Sequence, residues 1–210
     1  MKIESVNVSM PKTIEINGNR VETGIFKEPV SERRMIRKLN IDGDGQADLQ
    51  AHGGIYKAIY AYPHEHYSTW QAELERDDFV FGQFGENLTT TGLLEDEVYV
   101  GNVYRTGDAL LQVTQPRVPC FKLGIRMNDP KIVKKFMKAQ RTGFYLRVLE
   151  EGEIGAGDTI TLEKSDPHQM TVHDINHLLY FDPDPDLAQK AIQIESLSPG
   201  WVGSFEKMLD

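Results

Sequence analysis

Two hydrophobic rhythms divide the chain. Up to Lys164 the apolar residues come in short runs rich in Val, Ile, Tyr and Thr, punctuated by Gly, Asn, Asp and Pro. That is the pattern of strands joined by turns. The opening MKIESVNVSM alternates polar and apolar from its third residue and predicts a first strand. TIEINGNRVETGI sets Asn-Gly between alternating segments, a hairpin signal. ALLQVTQ, GFYLRVLEEG and DTITLEK predict further strands. VYVGNVYRTGDALLQV and VLEEGEIGAGDTITLE repeat one plan: apolar strand, Gly, tight loop, Gly-Asp, alternating strand. Gly107–Asp108 and Gly157–Asp158 therefore read as turns rather than as chemistry. Two helices interrupt the strands. PHEHYSTWQAELE places Pro63 in a first turn, and DPKIVKKFMKAQ has Asp129 as N-cap with Pro130 after it.

After Ser165 the rhythm becomes helical. Thr171 and Asp174 stand at N-cap and N3 spacing, and Asp184-Pro185 and Ser198-Pro199 are cap-then-proline starts. The expectation is a mainly β body with interspersed helices over 1–164 and a three-helix extension over 165–210. So short an extension must pack on the body or on a partner.

Composition narrows the class. The chain has 210 residues, 40% hydrophobic and 26% charged, enough for a folded core without staples. No apolar run approaches the roughly 20 residues that span a bilayer, and the N-terminus has no signal-peptide core. One cysteine forms no internal disulfide, which points to the cytoplasm. A net charge of −9 argues against a nucleic-acid polymer as partner but allows a local basic pocket for a small anion.

Several segments hold candidate chemistry. NIDGDGQADLQAHGG alternates Asp42, Asp44, Gln46 and Asp48, yet lacks the sixth-position Gly and terminal acid of a calcium loop, so it reads as a turn. His52, Gly53, Gly54 and Lys57 combine close backbone approach with a point charge suited to phosphate, without P-loop spacing. His64 and His66 lack the i,i+4 zinc arrangement and read as surface residues. FGQFGENLTTTGL offers Glu86 and Asn87 either to a heterocycle or to their own loop. Cys120 lies in VTQPRVPCFKL, stiffened by Pro116 and Pro119 and flanked by Arg117, Lys122 and Arg126. If CFKLGIRM starts a helical turn, its dipole adds to that charge, and both favour thiolate. A lone thiolate builds no structural zinc site, but it can be one soft ligand to a metal whose other ligands come from a cofactor.

The segments AHGG…KAIYAYP, GQFGENLTTTGL, GNVYRTGDALLQVTQPRVPCFKL and RTGFYLRVLEEGEIGAGDTITL resemble the successive motifs of MOSC domains, named after the C-terminal part of molybdenum cofactor sulfurase. The tail is similar to the three-helix extension of the YiiM subfamily, linked to 6-N-hydroxylaminopurine resistance. The resemblance implies a barrel-like β-domain, a molybdopterin-type cofactor and Cys120 as its protein metal ligand and catalytic group. It implies reduction of N-hydroxylated bases or amines. By position it nominates His52, Gly53, Gly54, Lys57, Gly85, Glu86, Asn87, Arg117, Arg141, Gly143 and Arg147 for holding pterin and phosphate. A separate electron-donor protein follows, because one cysteine holds no iron–sulfur cluster, and the tail is a plausible homodimer surface. Two rival classes stay open: a cofactor or sulfur carrier with a Cys120 persulfide, and a non-enzymatic binding module.

Overall fold

A computed structural model describes residues 1–16, 18–47 and 53–210. Among these residues the strands are β1 (Lys2–Val8), β2 (Lys12–Ile16), β3 (Asn19–Thr23), β4 (Glu28–Val30), β5 (Arg34–Ile36), β6 (Ile59–Pro63), β7 (Leu88–Thr91), β8 (Val103–Thr106), β9 (Ala109–Pro116), β10 (Phe144–Glu150), β11 (Gly152–Ile154) and β12 (Ile160–Lys164). The helices are α1 (Glu65–Leu74), α2 (Phe121–Met127), α3 (Ile132–Ala139), α4 (Val172–Tyr180), α5 (Pro185–Ala191) and α6 (Pro199–Leu209). A 3₁₀ turn covers Ile55–Lys57.

One large sheet runs β12-β8-β9-β10-β6-β7-β1-β4. Its pairs are antiparallel except β6 with β7, which is parallel. The connection between those two carries α1, as a parallel pair demands a crossover. β2 and β3 form the expected hairpin, with Ile16 opposite Asn19.

The expected barrel is a curled sheet that closes only in part. β4 is three residues long and covers β1 only from Val6 to Val8. The free start of β1 instead meets the segment before β12. Ile3 N donates to Asp158 O at 2.9 Å, Gly157 N to Ile3 O at 2.8 Å, and Ile160 N to Met1 O at 3.0 Å. A single bridge, Lys2 with Thr159, replaces a full ladder.

Strand alternation feeds two cores. Along β6, Ile59 and Ala61 join the larger core while Tyr60 and Tyr62 enter an aromatic one with Trp70, Phe84 and Phe136. The period of two thus makes β6 buried on both faces. The helical tail shares the larger core: Val172, Ile175, Leu178, Trp201 and Phe205 pack in one cluster with Leu111 and Val113 of β9.

Two of the tail's three expected caps form with side-chain hydrogen bonds, while Ser198 holds the N-cap position of α6 without one. Thr171 Oγ1 accepts from Asp174 N and Asp174 Oδ2 accepts from Thr171 N, both at 2.9 Å, a complete capping box. Asp184 Oδ1 accepts from Leu187 N at 2.9 Å. Two helix starts in the body shift from expectation. Pro63 ends β6 rather than opening α1. Asp129 caps a preceding turn, accepting from Lys131 N at 2.9 Å, so α3 begins two residues late.

Candidate functional site

The antiparallel register aligns Gln115 of β9, Tyr145 of β10 and Tyr60 of β6 in one row across the sheet. Directly opposed residues share a face, and the rings of Tyr60 and Tyr145 lie 5.4 Å apart. Beyond the end of β9 the chain passes buried Arg117 and Pro119 to half-buried Cys120, which precedes α2 in an extended conformation. Two clefts meet here and share Lys57, Val118, Cys120 and Tyr145.

The first cleft is basic within an acidic protein. Among the described residues, Lys27, Lys57, Arg117 and Lys122 line it against one carboxylate, Asp44. That carboxylate is already engaged. It pairs with Lys27 and accepts from Ser9 N at 2.8 Å and from Asn87 Nδ2 at 2.9 Å. Burial pulls Lys27 below the usual lysine range even with Asp44 beside it.

Arg117 is 5% exposed and, among the described residues, has no carboxylate within ion-pair distance. Its guanidinium lies over Tyr60 at 5.1 Å and Phe136 at 5.2 Å, and Nη2 donates to Phe84 O at 3.4 Å. Nη1 is buried with no hydrogen-bond partner. Burial pushes against its charge, and only the attraction of Tyr60, Tyr145 and Cys120 in their ionised forms raises it above the ordinary arginine value. Burial in turn raises the Tyr60 and Tyr145 phenols and keeps them neutral. The result is a fixed, buried positive charge with a donor left open, which suits an anion brought by a ligand.

Backbone also forms part of the wall. Gly85 sits at φ +83°, and a Cβ there would approach Ile25 Cγ1 to 2.8 Å, so only glycine fits. Next to it, Asn87 Oδ1 accepts from Tyr60 N at 3.1 Å. Asn87 thus joins the loop to both β6 and Asp44.

Of the nominated residues, Lys57, Gly85, Asn87, Arg117 and Cys120 converge on the first cleft, and Gly53 lines the second. His52 falls outside the described residues. The other nominees lie elsewhere. Glu86 is fully buried and spends its carboxylate on its own loop: Tyr67 OH, Gly82 N, Phe84 N and Thr89 Oγ1 all donate to it. Arg141 lies 4.1 Å over Trp70 and pairs with Glu73. Gly143 N donates to Glu95 Oε1 at 2.6 Å. Arg147 Nε donates to Gln112 Oε1 at 2.8 Å. Gly54, at φ +85°, precedes the 3₁₀ turn and lines neither cleft. His66 is not a plain surface residue, since it bonds buried Glu95 at 2.6 Å. Arg126 turns toward Phe26, 5.5 Å away. Lys27 joins the site without any local sequence signal, and Asp44, Tyr60, Gln115 and Tyr145 join it from segments whose pattern marks a turn or a strand. Among the described residues no three His, Cys, Asp or Glu side chains could together hold a metal ion.

Residues 48–161 match the MOSC domain family. The chain is also 41% identical over 207 residues to YflK of Bacillus subtilis (strain 168), covering 98% of this chain and 93% of that one. The chain belongs to the MOSC family. Residues 170–210 of this MOSC protein match the YiiM-like, 3-alpha helix domain. The crystal structure of YiiM from Geobacillus stearothermophilus superposes with a TM-score of 0.85 at 35% identity, covering 100% of this chain and 99% of that one. A Gibberella moniliformis (strain M3125 / FGSC 7600) protein named Reductase is 37% identical over 148 residues, 69% of this MOSC chain and 26% of its own length.

Proposed function

We propose that this MOSC protein binds a molybdenum cofactor of the molybdopterin type in the first cleft and is a reductase of N-hydroxylated nucleobases or amines. MOSC domains are associated with that cofactor in general, and one relative carries the name Reductase. The observation that carries the reading is the placement of Cys120 where two clefts meet, beside a buried guanidinium whose Nη1 has no partner.

The residues fit the group. A cluster with one thiol and no convergent ligand triad suits a metal that brings its other ligands with it. Cys120 would give its thiolate to molybdenum. Arg117, Lys57 and Lys122 would take the phosphate and the residual negative charge, which suits guanidinium and ammonium donors. Gly85 would let backbone approach the flat pterin, and Asn87 would hold that loop in place. When bound, the cofactor supplies the two-electron exchange that, with two protons, turns an N–OH group into N–H and water. Tyr145, kept neutral by burial at the junction, remains a phenol donor facing both clefts. Electrons come from a separate donor protein, since the single cysteine holds no cluster.

The test is reduction of 6-N-hydroxylaminopurine by protein made in a molybdenum-replete host, with an artificial electron donor. Turnover that is lost in Cys120→Ala supports the reading. Turnover and molybdenum both retained in Cys120→Ala overturn it. A cyanide-releasable sulfur on Cys120 without turnover would mark a sulfur carrier instead.

A further inference from the structure

We propose that the second cleft is a binding subsite for an uncharged planar heteroaromatic ring bearing a hydrogen-bond donor, with Gln115 as the acceptor and the C-terminal helices as the wall. The proposal rests on the reading of Cys120 as the reacting centre and adds what holds the substrate against it.

The two clefts differ in chemistry. The first carries four cations; the second carries one, Lys57, and no carboxylate among the described residues. Four aromatic residues line the second: Tyr56 and Tyr145 from the body, Tyr180 and Trp201 from α4 and α6. Tyr180 and Trp201 meet edge to face, their centroids 5.9 Å apart at 87°. Trp201 is 6% exposed and fixed by the core, while Tyr180 is 45% exposed and offers a free aromatic surface. Aromatic walls of this kind favour a flat ring over a puckered or charged one.

Gln115 supplies an independent observation. It is 3% exposed, lines the second cleft, and its Oε1 has no hydrogen-bond partner. Its register partner Tyr145 places it on the face that carries Tyr60 and Tyr145. Buried acceptors are almost always satisfied. An orphan acceptor at a cleft wall, in the same cleft as Cys120, therefore calls for a ligand N–H or O–H. An amino or hydroxylamino group on a heteroaromatic ring provides that donor and brings the same nitrogen toward Cys120. The helical extension thereby acts as a specificity element: it selects the ring while the body holds the reacting group.

Isothermal titration of the molybdenum-loaded protein with adenine tests this without turnover, since adenine has no N–O bond to reduce. Gln115→Met, which keeps the volume and removes the acceptor, is expected to weaken adenine binding roughly tenfold. Tyr180→Ala is expected to weaken it by a similar factor, roughly tenfold, and Tyr180→Phe to retain it. Cyclohexylhydroxylamine is expected to bind far more weakly than adenine. Thermal melts of each variant confirm that it folds. Wild-type adenine affinity in a folded Gln115→Met or Tyr180→Ala, with molybdenum and turnover intact, overturns this proposal alone. Adenine binding that depends on Gln115 and Tyr180 in a protein that takes up no molybdenum would keep it and overturn the reductase reading.

Discussion

Replacing Asp44 by Asn strikes the wall of the basic cleft at its most constrained point. Asp44 and Lys27 are each 6% exposed and form a buried ion pair. Asp44 Oδ1 also accepts from Ser9 N, and Oδ2 from Asn87 Nδ2 at 2.9 Å. An asparagine oxygen can keep the Ser9 bond, but its amide then opposes the Asn87 amide, donor to donor. Lys27 is left as a buried cation without its anion. Removing one member of a buried pair costs about 3–5 kcal/mol. At about 2–4 °C per kcal/mol for a chain of this size, the melting temperature falls by roughly 6–20 °C. The pH dependence has a fixed sign. Burial lowers Lys27 from its usual 10.5, so between the lowered value and 10.5 the unfolded chain binds the proton and the folded one does not. Stability from this group therefore rises with pH across that window. Without Asp44 the opposing attraction disappears and the window widens downward, so the deficit of Asp44→Asn shrinks as pH rises. Thermal melts of both proteins from pH 7 to 10 provide the assay. A melting temperature within 2 °C of wild type at pH 7, or a deficit that grows with pH, would refute the reasoning; these bounds lie well outside the estimate of roughly 6–20 °C.

Three further substitutions separate the cleft from its surroundings. Glu86→Gln sets an amide against one of the donors around the carboxylate, such as Phe84 N, and should lower stability in urea by about 1–3 kcal/mol while leaving molybdenum content unchanged. Arg117→Met should strip molybdenum from the purified protein, measured by elemental analysis. Its melting temperature should stay within about 5 °C of wild type, because losing two ring contacts is offset by removing an uncompensated buried charge. Arg141→Ala loses a half-exposed pair with Glu73 and a ring contact with Trp70, worth about 1 kcal/mol together, and should keep both metal and turnover.

What was legible in the sequence was local. The β2–β3 hairpin, the Gly-Asp turns and the Thr171–Asp174 capping box each depend on residues within a few positions, and each is present in the structure. Cys120 stood out because it is a single thiol in a stiff, cationic segment. The rest depended on long-range pairing. Lys27 meets Asp44 only because the loops after β3 and β5 fold against each other, and nothing local marks a lysine for burial. Glu86 sits in the expected motif, yet Tyr67 from α1 and Thr89 from β7 claim its carboxylate. Arg147 lies two residues beyond Tyr145 on β10, which suffices to bond it to Gln112 instead of the cleft. The second cleft was invisible because it forms only when α4 and α6 pack beside the end of β9.

The central claim is that Cys120 supplies sulfur to a metal held in the basic cleft. X-ray absorption at the molybdenum edge, on wild type and Cys120→Ser loaded in the same host, tests it most directly. The account predicts molybdenum in the wild type with one more sulfur ligand than in any metal retained by the variant. An identical sulfur shell in both proteins at equal molybdenum content would contradict it.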